Sequence, residues 1–93
     1  MTSRAQLGVA VAGVGRIGRM HARIIAEQIP DARLAGVYDI SPDVSREVAS
    51  DLGVEAAASI DELLASPDVD ALAICTATST HSELIVRAAA AGK

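Results

Sequence analysis

Tryptophan and phenylalanine are absent from this chain, and Tyr38 is its only aromatic residue. Bases bound without their complementary strand need aromatic faces to stack on, and this chain has none to spare. The net charge of −4 also removes the basic field that a polyanion partner requires, so no nucleic-acid partner is expected. A single cysteine, Cys75, excludes an internal disulfide, and no metal-ligand cluster accompanies it. No apolar run approaches the roughly 20 residues of a membrane-spanning helix, so no membrane partner is expected. The opening "MTSRAQLG" lacks the apolar core of a signal peptide, which makes the cytoplasm the expected compartment. Acidic residues are missing from the start as well. Arg4, Arg16, Arg19 and Arg23 all precede the first of them, Glu27, so a local basic zone lies in an acidic chain.

What is present is aliphatic. The 93 residues are 51% hydrophobic, drawn from Val, Ile, Leu and Ala. That composition suits a parallel sheet buried under alanine-rich helices. Leu7–Ala12 reads as a first buried strand, and Ile17 to Ile29 as a helix carrying Ile17, Met20, Ile24 and Ile25 at helical spacing. Leu34–Tyr38 is a second strand. Ser41 and Pro42 open a second helix that runs to Leu52 and stops at Gly53. Val54–Ala58 reads as a third strand. Ser59 and Glu62 have the spacing of a capping box, and so do Thr80 and Glu83, which open a helix from His81 to Ala91. Ala71–Thr76 is the fourth strand, and Gly92 ends the last helix.

Strands and helices therefore alternate, which predicts an α/β, doubly wound parallel sheet with right-handed crossovers and strand order 3-2-1-4. Such a sheet ordinarily continues after the last helix. Residues 1–93 are accordingly expected to be the N-terminal part of a dinucleotide-binding domain of Rossmann type, incomplete, with a substrate domain absent. The outer edge of the fourth strand is expected to pair with another copy, giving a homo-oligomer.

The residues that point to a ligand begin at "GVGRIG", Gly13 to Gly18. This G-x-G-x-x-G lies between a predicted strand and a predicted helix, where its mechanism needs it. Gly13 permits a tight turn, Gly15 lets backbone approach a pyrophosphate, and Gly18 lets helix and strand pack closely. The following residues, Arg16 and Ile17, start the helix. No Ser, Thr, Asp or Asn is near to cap it, although every other predicted helix has such a cap, so its free N–H groups are left for an external anion. Arg16 either pairs with that anion or is simply solvated. Asp39 ends the second strand about 20 residues beyond Gly18, where a carboxylate accepts from ribose hydroxyls and repels a 2′-phosphate. This favours NAD over NADP. A purely structural glycine turn and a loop for S-adenosylmethionine are the weaker readings, because strand, helix, three glycines and acid all coincide.

A third segment, "CTATSTH" from Cys75 to His81, lies at the end of the fourth strand. In order 3-2-1-4 this end flanks the switch point where ligands bind. Thr76 and Thr78 either offer hydroxyls to the cofactor or help to start the next helix. His81 is a site candidate or a helix-start residue at a wet surface. His21 reads as structural. Cys75 lies in an apolar strand and reads as a small buried hydrophobe rather than a nucleophile.

With these residues in view, the chain resembles the N-terminal part of the Gfo/Idh/MocA oxidoreductases, and within them the inositol 2-dehydrogenase group. "GVGRIGRMHA", "LAGVYDISPD" and "SIDELLASPDVDALAICTATSTHSELIVRAAAAGK" carry the resemblance. It implies an NAD-dependent dehydrogenase that oxidises a secondary alcohol of a small polyol or sugar. Gly13, Gly15, Gly18 and Asp39 match the family's cofactor positions, and Thr76, Thr78 and His81 its post-strand loop. Ala77 stands where many members have proline, and Thr78 where asparagine is frequent. The family's lysine in an E-K-P motif and its Asp/His pair have no counterpart here, so no catalytic residue is assigned; Gly92-Lys93 matches the helix-end "GK" instead. The alternative is a non-catalytic dinucleotide-binding module or redox sensor.

Overall fold

The computed structural model describes residues 6–93, which leaves Arg4 outside the described residues. The chain runs β1 (Leu7–Ala12), α1 (Arg16–Gln28), β2 (Ala32–Tyr38), α2 (Pro42–Leu52), α3 (Ile60–Ala65), β3 (Ala71–Ile74) and α4 (His81–Ala90). A single 3-10 turn, Thr78–Thr80, leads into α4. All strand pairings are parallel, in the order β2-β1-β3.

The central strand explains the layering. Ala10, Val11 and Ala12 are 0% exposed, so β1 is covered on both faces. Alternate side chains leave a strand on opposite sides. Val11 accordingly packs with Val14, Ala22, Ile25, Val37 and Val48 beneath α1 and α2. Ala10 and Ala12 meet Leu63, Ile60 and Leu84 beneath α3 and α4. Helices thus cover both faces of one parallel sheet, the doubly wound arrangement expected from the alternation.

Strand order requires one correction. The sheet has three strands, and the predicted fourth strand is the observed β3. Val54–Ala58 makes only an isolated parallel bridge, Val37 to Ala56, beside β2. Two hydrogen bonds hold it there: Val37 N–H to the Glu55 carbonyl (3.1 Å) and Ala57 N–H to the Val37 carbonyl (2.8 Å). The segment occupies the third-strand position but does not extend. It is rich in alanine, which favours strands weakly. It is also clamped between the left-handed Gly53 (φ 71°) and the cap of α3 at Ser59.

Most helix ends follow the expected chemistry. Ser41 Oγ accepts from Val44 N–H at α2, and Ser59 Oγ accepts from Glu62 N–H at α3. The Glu62 carboxylate reaches back to Ala58 N–H rather than to Ser59. Gly92 (φ 79°) closes α4, with Lys93 N–H donating to the Ala88 carbonyl (2.9 Å). The expected Thr80–Glu83 capping box does not form. The Thr80 hydroxyl is already committed to Thr76 Oγ1 (2.6 Å) and to the Ala77 carbonyl (2.7 Å), and the 3-10 turn gives Thr80 helical dihedrals. Among the described residues no helix is long and apolar enough to cross a membrane.

α1 and the end of β1 approach each other closely at Gly18. A Cβ placed on Gly18 would lie 1.7 Å from the Gly13 carbonyl oxygen. Backbone on both sides leaves nowhere to yield. Gly18→Ala is therefore expected to destabilise by about 3 kcal/mol or more, beyond ordinary overpacking. A urea melt checks this; an unchanged midpoint would show that the contact is not tight.

Candidate functional site

The site is built where three strand ends converge. β1 delivers Gly13 in the left-handed region (φ 87°), and its N–H donates to the Tyr38 carbonyl at 2.7 Å. A Cβ on Gly13 would lie 2.7 Å from the backbone of Cys75 and Thr76, so no side chain fits between β1 and the end of β3. Gly15 differs. Its φ is −66°, and a Cβ there would meet nothing within 4 Å. Nothing inside the chain requires glycine at this position. The open space lies where α1 begins, and Gly15, its N-cap, brings no side-chain hydrogen bond. The N–H groups of the first turn and their partial positive charge are therefore available to an anion.

Asp39 stands directly beside the glycine turn. Its Oδ1 accepts from Val14 N–H and its Oδ2 from Ser41 N–H, both at 2.9 Å. The third wall is the segment after β3. Thr76 and Thr80 join their hydroxyls, and His81 Nε2 lies 2.8 Å from the Thr76 carbonyl. A carbonyl oxygen only accepts, so Nε2 carries the proton in this bond. Between these walls lies a cleft of about 440 Å³, of the size that holds small ligands.

The structure brings Gly13, Gly15, Asp39 and Thr76 together as cleft lining, with Gly18 directly behind them. It does not bring in Thr78, which is exposed on the 3-10 turn, or His81, whose ring holds the Thr76 carbonyl instead. Arg16 and Ile17 are exposed at the helix start beside Gly15 and outside the lining. The basic zone seen in the sequence is largely neutralised by acids of α2 and of α1 itself: Arg19 pairs with Glu47 (3.2 Å) and Arg23 with Asp51 of α2, and Arg23 also with Glu27 of α1 (3.1 Å).

Sequence reasoning missed the apolar side of the cleft. Ile40, directly after the acid, is 90% exposed and lines it, as do Tyr38, Ile60 and Leu84. An isoleucine held in water beside a strand-end acid was a legible signal. Ile60 and Leu84 were not distinguishable from ordinary helix-core residues. Arg87, also in the lining, is fixed by Asp61 and faces Glu83 at 3.8 Å. Cys75 lines the cleft as well, and burial pushes its thiol up from the ordinary cysteine range.

A parallel sheet covered on both faces, a glycine turn into an uncapped helix and an acid on the neighbouring strand define a dinucleotide-binding domain. Residues 7–93 match the Gfo/Idh/MocA oxidoreductase family with its NAD-binding Rossmann fold, and the chain belongs to that family. Its cofactor is NAD. The chain is 44% identical over 81 residues to the inositol 2-dehydrogenase of Rhizobium meliloti, spanning 87% of this chain and 24% of that protein. It is 46% identical over 71 residues to the UDP-N-acetylglucosamine 3-dehydrogenase of Acidithiobacillus ferrooxidans, spanning 76% and 21%. The scyllo-inositol dehydrogenase of Lactobacillus casei, solved with bound NAD(H) and scyllo-inositol, superimposes with a TM-score of 0.88 at 30% identity, over 95% of this chain and 26% of that one. The chain thus spans about a quarter of the length of the relatives it matches.

The position of Cys75 provides a reporter. Its raised pKa reduces the thiolate at pH 8, so iodoacetamide should modify it several-fold more slowly than a free thiol. Saturating NADH should slow the reaction further, because the thiol lies in the cleft. Labelling that NADH leaves unchanged would place the cofactor elsewhere.

Proposed function

We propose that this chain holds the ADP half of NAD in an oxidoreductase that oxidises a secondary alcohol of a cyclitol or sugar. The observation that carries the reading is Gly15: an open glycine at an uncapped helix start, lining one cleft with a strand-end carboxylate that is bonded to the adjacent Val14 N–H. In this reading the N–H groups of the first turn of α1 hold the pyrophosphate, with Gly15 allowing its approach and Arg16 beside it. The Asp39 carboxylate accepts from the adenosine ribose hydroxyls. Ile40, Ile60 and Leu84 offer apolar surface, and the Thr76 and Thr80 hydroxyls form the wall toward the rest of the cofactor. Bound NAD supplies the hydride acceptor, while the protein supplies position and field.

The substrate class rests on the relatives. Several act on inositols by name, and the resemblance covers 87% to 95% of this chain. The similarity to a nucleotide-sugar dehydrogenase keeps sugars within the class. A cytoplasmic setting supplies the NAD pool that such a reaction draws on.

Titration calorimetry tests the cofactor reading. NADH should bind, NADPH should bind more weakly, and Gly15→Val should raise the NADH dissociation constant by at least about tenfold. Because a Cβ at Gly15 meets no protein atom, the variant should keep its thermal stability, so lost binding reports on the ligand. Equal affinity of both forms would remove the loop from the site. For the whole protein, inositol-dependent reduction of NAD at 340 nm is the expected activity, and its absence across inositols and sugars would overturn the substrate class.

A further inference from the structure

We propose that Asp39 is a positioning residue for the glycine loop as well as a partner of the cofactor, so that its carboxylate shapes the site before any dinucleotide arrives. The proposal deepens the reading of the cleft as the NAD site and rests on it. Val14 is 1% exposed, and its N–H lies in the turn between two glycines that cannot offer a side-chain acceptor. The acceptor it finds is Asp39 Oδ1, at 2.9 Å and 25 residues along the chain. The second oxygen, Oδ2, takes Ser41 N–H at 2.9 Å, and the Ser41 hydroxyl in turn caps α2 at Val44. One carboxylate therefore joins the loop that opens α1 to the turn that opens α2.

The two roles are compatible. Each carboxylate oxygen has two acceptor positions, so both remain able to accept a hydroxyl after binding a backbone N–H. They are not separable by mutation to a small residue. Removing the acid relieves repulsion of a 2′-phosphate. It also strips the buried Val14 N–H of its partner, and an unmatched buried donor is expensive. Replacing Asp39 alone should therefore not convert the site from NAD to NADP. It should damage the loop that both cofactors use.

Two variants, measured beside the unsubstituted protein, decide this. In Asp39→Ala, the dissociation constants for NADH and NADPH should both rise by about tenfold or more, and the ligand-free melting temperature should fall by at least about 4 °C. In Asp39→Asn, the single amide oxygen can still accept from Val14, while the NH2 replaces the oxygen that served Ser41 N–H, so that second bond is lost. The Val14 N–H should stay protected in NMR hydrogen exchange, and only part of the melting loss should appear. The discrimination between NADH and NADPH should shrink, because the charge is gone. Tighter NADPH binding in Asp39→Ala at an unchanged melting temperature would overturn the proposal and leave Asp39 as a ribose partner alone. Should Asp39→Ala not fold, Asp39→Asn decides: rapid Val14 exchange with wild-type stability would equally overturn it. If the unsubstituted protein binds neither dinucleotide, the cofactor reading fails, while exchange at Val14 and the melting series still test the clasp.

Discussion

The structure depends on one steric constraint: β1, α1 and the end of β3 meet where no Cβ can stand. Gly18 lies against the Gly13 carbonyl, and Gly13 lies against the backbone of Cys75 and Thr76. Two missing side chains thus set the distance between the first strand, its helix and the neighbouring strand. Everything else in the site inherits that distance. The start of α1 is brought to the carboxyl edge of the sheet, and the Thr76 segment is brought alongside the glycine turn. A methyl group at either position would meet backbone at 1.7 or 2.7 Å, and these elements would have to move apart. Gly15 plays no part in this closure, which is why its openness speaks of a ligand.

The electrostatics are more local than the sequence implies. The basic stretch before Glu27 resembles a phosphate-attracting field, but α2 packs its acids against α1. Glu47 and Asp51 take up Arg19 and Arg23, pairs that lie at the surface and add at most about 1 kcal/mol each. Their larger effect is to cancel the field along the helix. Attraction for an anion then falls to the helix end itself and to Arg16, which makes no ion pair among the described residues. This arrangement suits a short pyrophosphate contact and does not favour an extended polyanion, in line with the net charge of −4.

Legibility divided along physical lines. Elements with strong local signals were readable: β1 in full, α2 between Ser41 and Gly53, and the glycine turn. These depend on residue types whose conformational preference is intrinsic. The reading failed where tertiary partners compete for one group. Thr80 has the spacing of a cap, but Thr76 and Ala77 take its hydroxyl. Val54–Ala58 reads as a short strand by its position between two helices, but its alanines favour strands weakly and its close bracketing leaves only a bridge. His81 was visible as a site candidate, yet its ring serves the Thr76 carbonyl. The bond from Val14 to Asp39 had no sequence signal, because any backbone N–H can be the donor. The apolar wall was hidden differently: Ile60 and Leu84 belong to helices that need apolar residues for the core in any case.

These contacts make the site a set of mutually tied backbone turns rather than a collection of reaching side chains. The Gly13 N–H is held by Tyr38, the Val14 N–H by Asp39, and the Thr76 carbonyl by His81. A cofactor entering such a site orders little that is loose, so more of its contact energy is available for affinity. The tied groups are backbone groups of three turns, so their bonds fix the shape of the cleft and are independent of any substrate. That accounts for similar resemblance to an inositol dehydrogenase and to a nucleotide-sugar dehydrogenase. A framework whose geometry is fixed by glycines and one acid can be kept unchanged while the substrate is chosen by residues attached elsewhere. In the proposed reading, the constraint that positions NAD is also what leaves the chemistry free to vary.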